Sequence, residues 1–197
     1  MVSLSLGISA FILYFLYDIN SFSWRRSFPR VFFTLGTVFL TGAIGLDFYA
    51  ACRTGSLGGI ADWFFLVCAL ASFSALIYSL FFALPFEETY ARQTDGRGVY
   101  DKGVYALCRH PGILFFFLMV LFLGLAALPF HGLLLRGMFF SLLDLAYAGF
   151  QDRVTFPRTF CDYKRYQQET PFLIPTKASF RLACQTLRHQ GEKEVES

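Results

Sequence analysis

Long apolar runs separated by short polar breaks make up most of this chain. A helix needs about 20 largely apolar residues to cross a bilayer, and five stretches approach that length. The first covers residues 2–17 and stops at Asp18. It has neither a basic start nor a clear cleavage site, so it reads as a retained span rather than a secretory signal. The second covers residues 31–52, between Arg30 and Arg53, and the third covers residues 60–84, before Pro85. The fourth begins at Pro111, a residue suited to the first turn of a helix, and runs to residue 128. A tight connection, Pro129-Phe130-His131-Gly132, leads into the fifth, residues 133–150. Arg136, in the first turn of that stretch, is expected to snorkel outward. Asp47, near the outer end of the second stretch, is expected to reach water. The pattern predicts an all-α integral membrane protein of about five transmembrane helices. Residues 1–197 form a single membrane domain in which residues 151–197 are a segment outside the bilayer, with a frayed end after Gly191.

Composition narrows the classes further. Apolar residues make up 55% of the 197, Phe alone occurs 26 times, and only 16% are charged, against about 25% in soluble domains. That excludes a soluble globular protein, a disordered chain and a coiled coil. The net charge of +3 is too small to suggest a nucleic-acid binder. The basic residues follow the spans instead. With five spans, fifteen Lys and Arg fall on the side of the C-terminus, and only Arg53 and Arg136 fall on the other. Basic residues accumulate in cytoplasmic loops, so the expected topology is N-terminus outside and C-terminus cytoplasmic. The cysteines at 52, 68, 108, 161 and 184 show no metal-ligand spacing and no disulfide framework.

Polar chemistry gathers in two segments on the cytoplasmic side. The first runs from Gly103-Val104-Tyr105 to Arg109-His110-Pro111. Gly103 permits a sharp turn or a close approach of the backbone to a ligand. Arg109 offers a planar donor fork to a carboxylate or phosphate, or serves as a positive-inside anchor. His110 is a donor or acceptor beside it, or a helix cap. The helix that starts at Pro111 favours an anionic group near its N–H groups. The second segment holds Gln151-Asp152-Arg153, then Phe160-Cys161-Asp162-Tyr163-Lys164-Arg165-Tyr166, then Thr170-Pro171-Phe172-Leu173-Ile174-Pro175. Tyr163 and Tyr166 share a helix face, suited either to stacking on a base or to the interfacial aromatic belt. Asp152 follows the last span and can pair with Arg109, Arg153 or Arg158, an ammonium, or a ribose hydroxyl. Asp144 lies within a span, where an ionisable group is costly and marks either a functional site or an interhelical hydrogen bond. Asp144, Tyr147, Ala148 and Gln151 share one face leading down to the second segment.

The order of these motifs, with a two-helix hairpin between them, resembles the isoprenylcysteine carboxyl methyltransferase family and its phospholipid methyltransferase relatives. The resemblance covers about residues 100–175. It departs from the family at Ile113, where an aromatic is usual, and at Gln151-Asp152, where the family has Glu-Glu. It departs again at Phe160-Cys161-Asp162-Tyr163, one residue shorter than the family's motif. What the resemblance implies is a small all-helical membrane enzyme that uses S-adenosylmethionine. The cofactor would sit in a cytoplasmic pocket formed by the loop before span four and the C-terminal segment. Gly103, Val104, Tyr105, His110 and Pro111 would line it, and Asp152 with Tyr163 or Tyr166 would close it. Arg109 would contact a carboxylate or orient the substrate. The implied partners are membrane lipids and a lipid-like or prenylated methyl acceptor, with no metal and no nucleic acid.

Methyl transfer is an in-line displacement at an activated sulfonium carbon, so the protein mainly aligns the reactants and excludes water. A carboxylate nucleophile needs no base, whereas an amine must lose a proton, for which Asp144 or Asp152 would serve. Two other readings fit the same sequence less well. A membrane sterol-type reductase using NADPH shares an Arg-His-Pro-like element but usually needs more spans. A non-enzymatic scaffold or transporter subunit would spread its polar residues across a pore rather than collect them on one side.

Overall fold

The protein is described by a computed structural model covering residues 1–20, 29–83 and 98–195, with residues 29, 30 and 188–195 by backbone alone. Arg25, Arg26, Arg92 and Arg97 of the charge pattern lie outside the described residues, as do Leu84 and Pro85 at the expected end of span three. Every regular element among the described residues is helical. The helices are α1 (Val2–Ile19), α2 (Pro29–Arg53), α3 (Ile60–Ile77), α4 (Val104–Leu107), α5 (Pro111–Ala126), α6 (His131–Phe150), α7 (Phe156–Thr159), α8 (Tyr163–Glu169) and α9 (Lys177–Val195).

Four stretches are long and apolar enough to cross a membrane: Val2–Ile19, Val31–Arg53, Ile60–Phe82 and His131–Thr159. The fourth expected span, α5, has 16 residues, about 24 Å at 1.5 Å per residue, which is short of a hydrocarbon core of about 30 Å.

Local chemistry sets the helix boundaries. The last turn of α2 closes in a Schellman arrangement. Ser56 N–H donates to Ala51 O at 3.3 Å and Gly55 N–H to Cys52 O at 3.2 Å. Gly55 sits at φ 68°, a conformation that costs a residue with a Cβ. The Asp62 carboxylate then caps α3, accepting from the N–H groups of Gly58 at 3.0 Å and Gly59 at 2.8 Å. α3 leaves its regular course through a wider turn, Tyr78–Phe82, in which Ala83 N–H reaches back five residues to Tyr78 O at 2.9 Å. A similar turn, Gln151–Thr155, joins α6 to α7, so the chain stays helical past the expected end of span five. α9 opens on a reciprocal cap. Thr176 N–H donates to Ser179 Oγ at 2.9 Å, and Ser179 N–H to Thr176 Oγ1 at 3.1 Å. Its backbone stays helical to Val195. The frayed end expected after Gly191 is therefore helical as far as the described residues run.

The chain divides into two compact units. The first holds Met1–Phe73 and Phe115–Thr155, and the second holds Ser74–Leu114 and Phe156–Ser197. In the first, α1 packs along α2, and both pack on α6. Apolar faces gain little by meeting one another in lipid, so close approach at small residues has to hold such helices together. Gly7 of α1 lies against the Phe140 ring, where a Cβ would collide with it, and a Cβ on Gly36 would stand 2.8 Å from the Tyr14 ring. At Gly124 a Cβ would meet the Leu134 backbone at 2.8 Å, which fixes how closely α5 and α6 can run. Tyr14 stacks on Tyr147 with centroids 5.7 Å apart and donates to Thr37 Oγ1 at 3.2 Å. The outward side of α3 is apolar throughout, with Trp63, Phe64, Val67 and Leu70 each more than 60% exposed, as expected of a surface solvated by lipid.

Two expectations about charged residues in the apolar stretches need correction. Asp47 does not reach water, and Arg136 does not simply snorkel outward. Arg136 Nε donates to Asp47 Oδ2 at 2.7 Å, and the Asp47 side chain is only 5% exposed. A carboxylate on α2 and a guanidinium on α6 neutralise each other at that depth more cheaply than either could be desolvated alone.

Candidate functional site

The second unit gathers most of the residues singled out in the sequence. α4 is a single turn entered through Gly103, whose φ of 59° and ψ of −129° suit glycine alone. Its N–H donates to Thr186 Oγ1 of α9 at 3.0 Å. Gly103 therefore makes a sharp turn, one of the two roles open to it. Tyr105 Oη donates to Ser79 O at 2.9 Å, tying α4 to the last turns of the third span.

Tyr163 and Tyr166 do share a face of α8. Both are buried, with ring centroids 5.9 Å apart in an edge contact. Tyr166 Oη donates to Tyr105 O at 2.6 Å. Their rings belong to the interior of the unit rather than to an interfacial belt. Burial pushes the Tyr166 phenol far above its ordinary range, and the nearby Tyr163 adds to the shift.

Two strands of contact lock the Arg-His-Pro element to the Thr170-Pro171-Phe172 run. Along the backbone, Arg109 N–H donates to Pro171 O at 2.9 Å and His110 N–H to Phe172 O at 3.3 Å. From the side chain, Arg109 Nη1 donates to Gln167 O at 2.9 Å and Thr170 O at 2.6 Å. The guanidinium also lies 5.6 Å from the Phe172 ring centroid. His110 is buried and stacks on Phe156 at 5.8 Å and 14°, with Phe172 at 4.9 Å on a tilted approach. Pro111 begins α5 as its fixed φ predicts. Asp162 anchors the other end of α8. Its Oδ1 accepts from Val99 N–H at 2.7 Å and its Oδ2 faces Arg165 at 3.3 Å.

Asp144 and Asp152 belong to the first unit. Asp152 is 7% exposed, inside the wide turn Gln151–Thr155. Tyr147 and Ala148, which the spacing puts on one face with Asp144 and Gln151, are buried. Asp18, where the sequence pattern ends span one, is a buried polar residue that the pattern does not single out. The helix runs on to Ile19, and Asp18 is 3% exposed, accepting from Thr155 Oγ1 at 3.5 Å and hydrogen-bonded to Tyr147 and Gln151. Its signal is an acid inside an apolar helix, the same signal that marks Asp144.

Cys108, fully buried between α4 and α5, titrates late. Burial pushes its thiol from 9.0 up to about 11, partly offset by the His110 N–H donated to it. A thiol that holds its proton more tightly when folded contributes its full stability below about pH 9. That contribution fades as pH rises from about 9 to about 11, and two units correspond to about 2–3 kcal/mol. Stability should therefore fall more steeply between pH 9 and 11 in the parent than in Cys108→Ala. Thermal melts of both proteins at closely spaced pH values check this, and parallel slopes would assign the alkaline loss to other groups.

No protein-family model matches this chain, and neither a curated protein nor a solved structure matches it.

Proposed function

We propose that this protein is an integral membrane methyltransferase that uses S-adenosylmethionine to methylate a lipid-like or prenylated small acceptor. In this reading α5 completes a set of five spans, the N-terminus lies outside and the C-terminus is cytoplasmic. The observation that supports it is the union of the two polar segments. Residues 58 and 61 positions apart are joined through Arg109, and the Arg-His-Pro and Thr-Pro-Phe elements run side by side. The side chains gathered there fit the cofactor in kind. Tyr105, Phe156 and Phe172 offer ring surface for an adenine, and His110 and Arg109 offer donors for a carboxylate.

S-adenosylmethionine would supply a methyl group on a sulfonium, already activated for displacement. The chain's own part is to hold and align. Arg109 keeps the Thr170–Phe172 backbone against the start of α5, and His110 is fixed in orientation between two aromatic rings. Burial of Tyr163, Tyr166 and Cys108 keeps water from the interior of the unit, which favours displacement over hydrolysis. Asp152 enters this reading through the family resemblance, and Asp144 through its place as an ionisable residue within a span.

Calorimetry on the solubilised full chain tests the reading. S-adenosylhomocysteine should give a saturable heat and NADPH none. His110→Phe keeps the stacking and the volume but removes both ring nitrogens. It should weaken S-adenosylhomocysteine binding by at least about tenfold, the value of one charge-assisted hydrogen bond, and leave the thermal midpoint within a few degrees. Equal affinity in parent and variant would reduce His110 to an aromatic filler. Absence of any heat from the parent would remove the cofactor reading.

A further inference from the structure

We propose that the outward face of α9 lies on the surface of the bilayer and binds anionic phospholipid headgroups, a role independent of the methyl-transfer reading. One side of the helix is buried in the unit, and the adjacent and far sides are exposed. Ser179 and Ala183 are buried, and Thr186 is spent on the Gly103 N–H. Phe180, Cys184 and Leu187 recur at i, i+4 and i+7 and are all exposed, Phe180 at 60%. Lys177 and Arg181 stand one turn apart beside that stripe and are exposed as well. Residues 177–188 include Lys177, Arg181 and Arg188 and no acid. Just before the helix, Ile174 is 79% exposed.

An aromatic-aliphatic stripe bordered by basic residues, on a helix of low overall hydrophobicity, is the composition of a helix that lies in the membrane interface. Two contacts and the course of the chain within the second unit place α9 there. It packs on α4. α4 is hydrogen-bonded through Tyr105 to Ser79, inside the membrane-length stretch Ile60–Phe82. Three residues after α4 the chain enters the apolar helix α5. α9 is thus fastened beside the ends of two apolar helices. Its exposed rings can enter the headgroup layer, while the basic residues meet the negative potential of anionic lipid.

The test uses the full chain with Cys52, Cys68 and Cys161 changed to Ser, which leaves buried Cys108 unreactive. Cys184 then carries an environment-sensitive fluorophore. The labelled protein is reconstituted in phosphatidylcholine vesicles and in vesicles holding about a third phosphatidylserine. The expected result is quenching by lipids spin-labelled near the headgroup, with spin-labelled phosphatidylserine quenching several-fold better than phosphatidylcholine. Each basic residue near such a surface is worth about fivefold. The phosphatidylserine preference should collapse in Lys177→Glu/Arg181→Glu or in about 0.5 M salt, and Phe180→Glu should lower quenching by both lipids. A fluorophore that lipid quenchers do not reach in either vesicle overturns the proposal. So does one shielded in proportion to protein density, which would place a second copy on the face. Equal quenching by both lipids, unchanged by salt, would leave an apolar anchor with no headgroup preference and would overturn the anionic-lipid claim.

Discussion

Arg109→Ala is expected to destabilise the protein by about 3–5 kcal/mol, the combined value of two hydrogen bonds from a charged donor and the strain of leaving their acceptors unmet. At about 2–4 °C per kcal/mol for a chain of this size, the thermal midpoint should drop by about 6–20 °C. The reason is that Nη1 serves Gln167 O and Thr170 O together, carbonyls at the end of α8 that α8 itself does not satisfy. Arg109→Lys should recover only part of the loss, because an ammonium lacks the planar fork and the broad face that rests on Phe172. The sequence reading has Arg109 contact a carboxylate or orient the substrate, and in the structure its guanidinium holds the Gln167 and Thr170 carbonyls. Calorimetry with S-adenosylhomocysteine at a temperature where the variant is still folded separates the two. A stable Arg109→Ala that no longer binds would put the guanidinium on the ligand. An unstable one that regains affinity on cooling would make it a positioning residue.

A comparable loss is expected in the first unit. Arg136→Leu leaves the Asp47 carboxylate buried without its countercharge, and Asp47→Leu does the same to the guanidinium. Breaking a buried pair from one side costs about 3–5 kcal/mol. Asp47 is the more sensitive partner to strand, at 5% side-chain exposure against 28% for Arg136, so Arg136→Leu should be the worse single change. The double variant Asp47→Leu/Arg136→Leu should recover most of the loss, since no charge is then buried. Unfolding of the three variants in one detergent gives the cycle, and additive losses would show that the pair is not coupled.

Much of the fold was legible because its causes are local. Pro111 begins α5 because proline has no N–H to leave unmet and a φ already set for a helix. Tyr163 and Tyr166 share a face because three residues is close to one turn. The apolar runs became helices because a backbone surrounded by lipid has to satisfy its own polar groups. Other departures from that reading are choices of partner. Asp47 was assigned to water and Arg136 to a snorkelling position, although the two lie 89 residues apart in the chain and bind each other. Asp18 was taken for the end of a span, although Thr155, 137 residues on, supplies one of its donors.

The sequence by itself determined the apolar helices, their membrane length in four cases and the two polar segments. Each of these follows from composition or from the 3.6-residue period within one stretch of chain. Only the tertiary structure decided what the polar side chains do. Arg109 could face a ligand or a neighbouring carbonyl, and Tyr166 could face a base or the backbone of α4, with no change in spacing. In the structure Arg109 reaches Gln167 and Thr170, and Tyr166 reaches Tyr105. The reason is energetic. A buried donor takes whichever acceptor the packing of distant segments brings within about 3 Å, because leaving either group unmet costs more than the bond contributes.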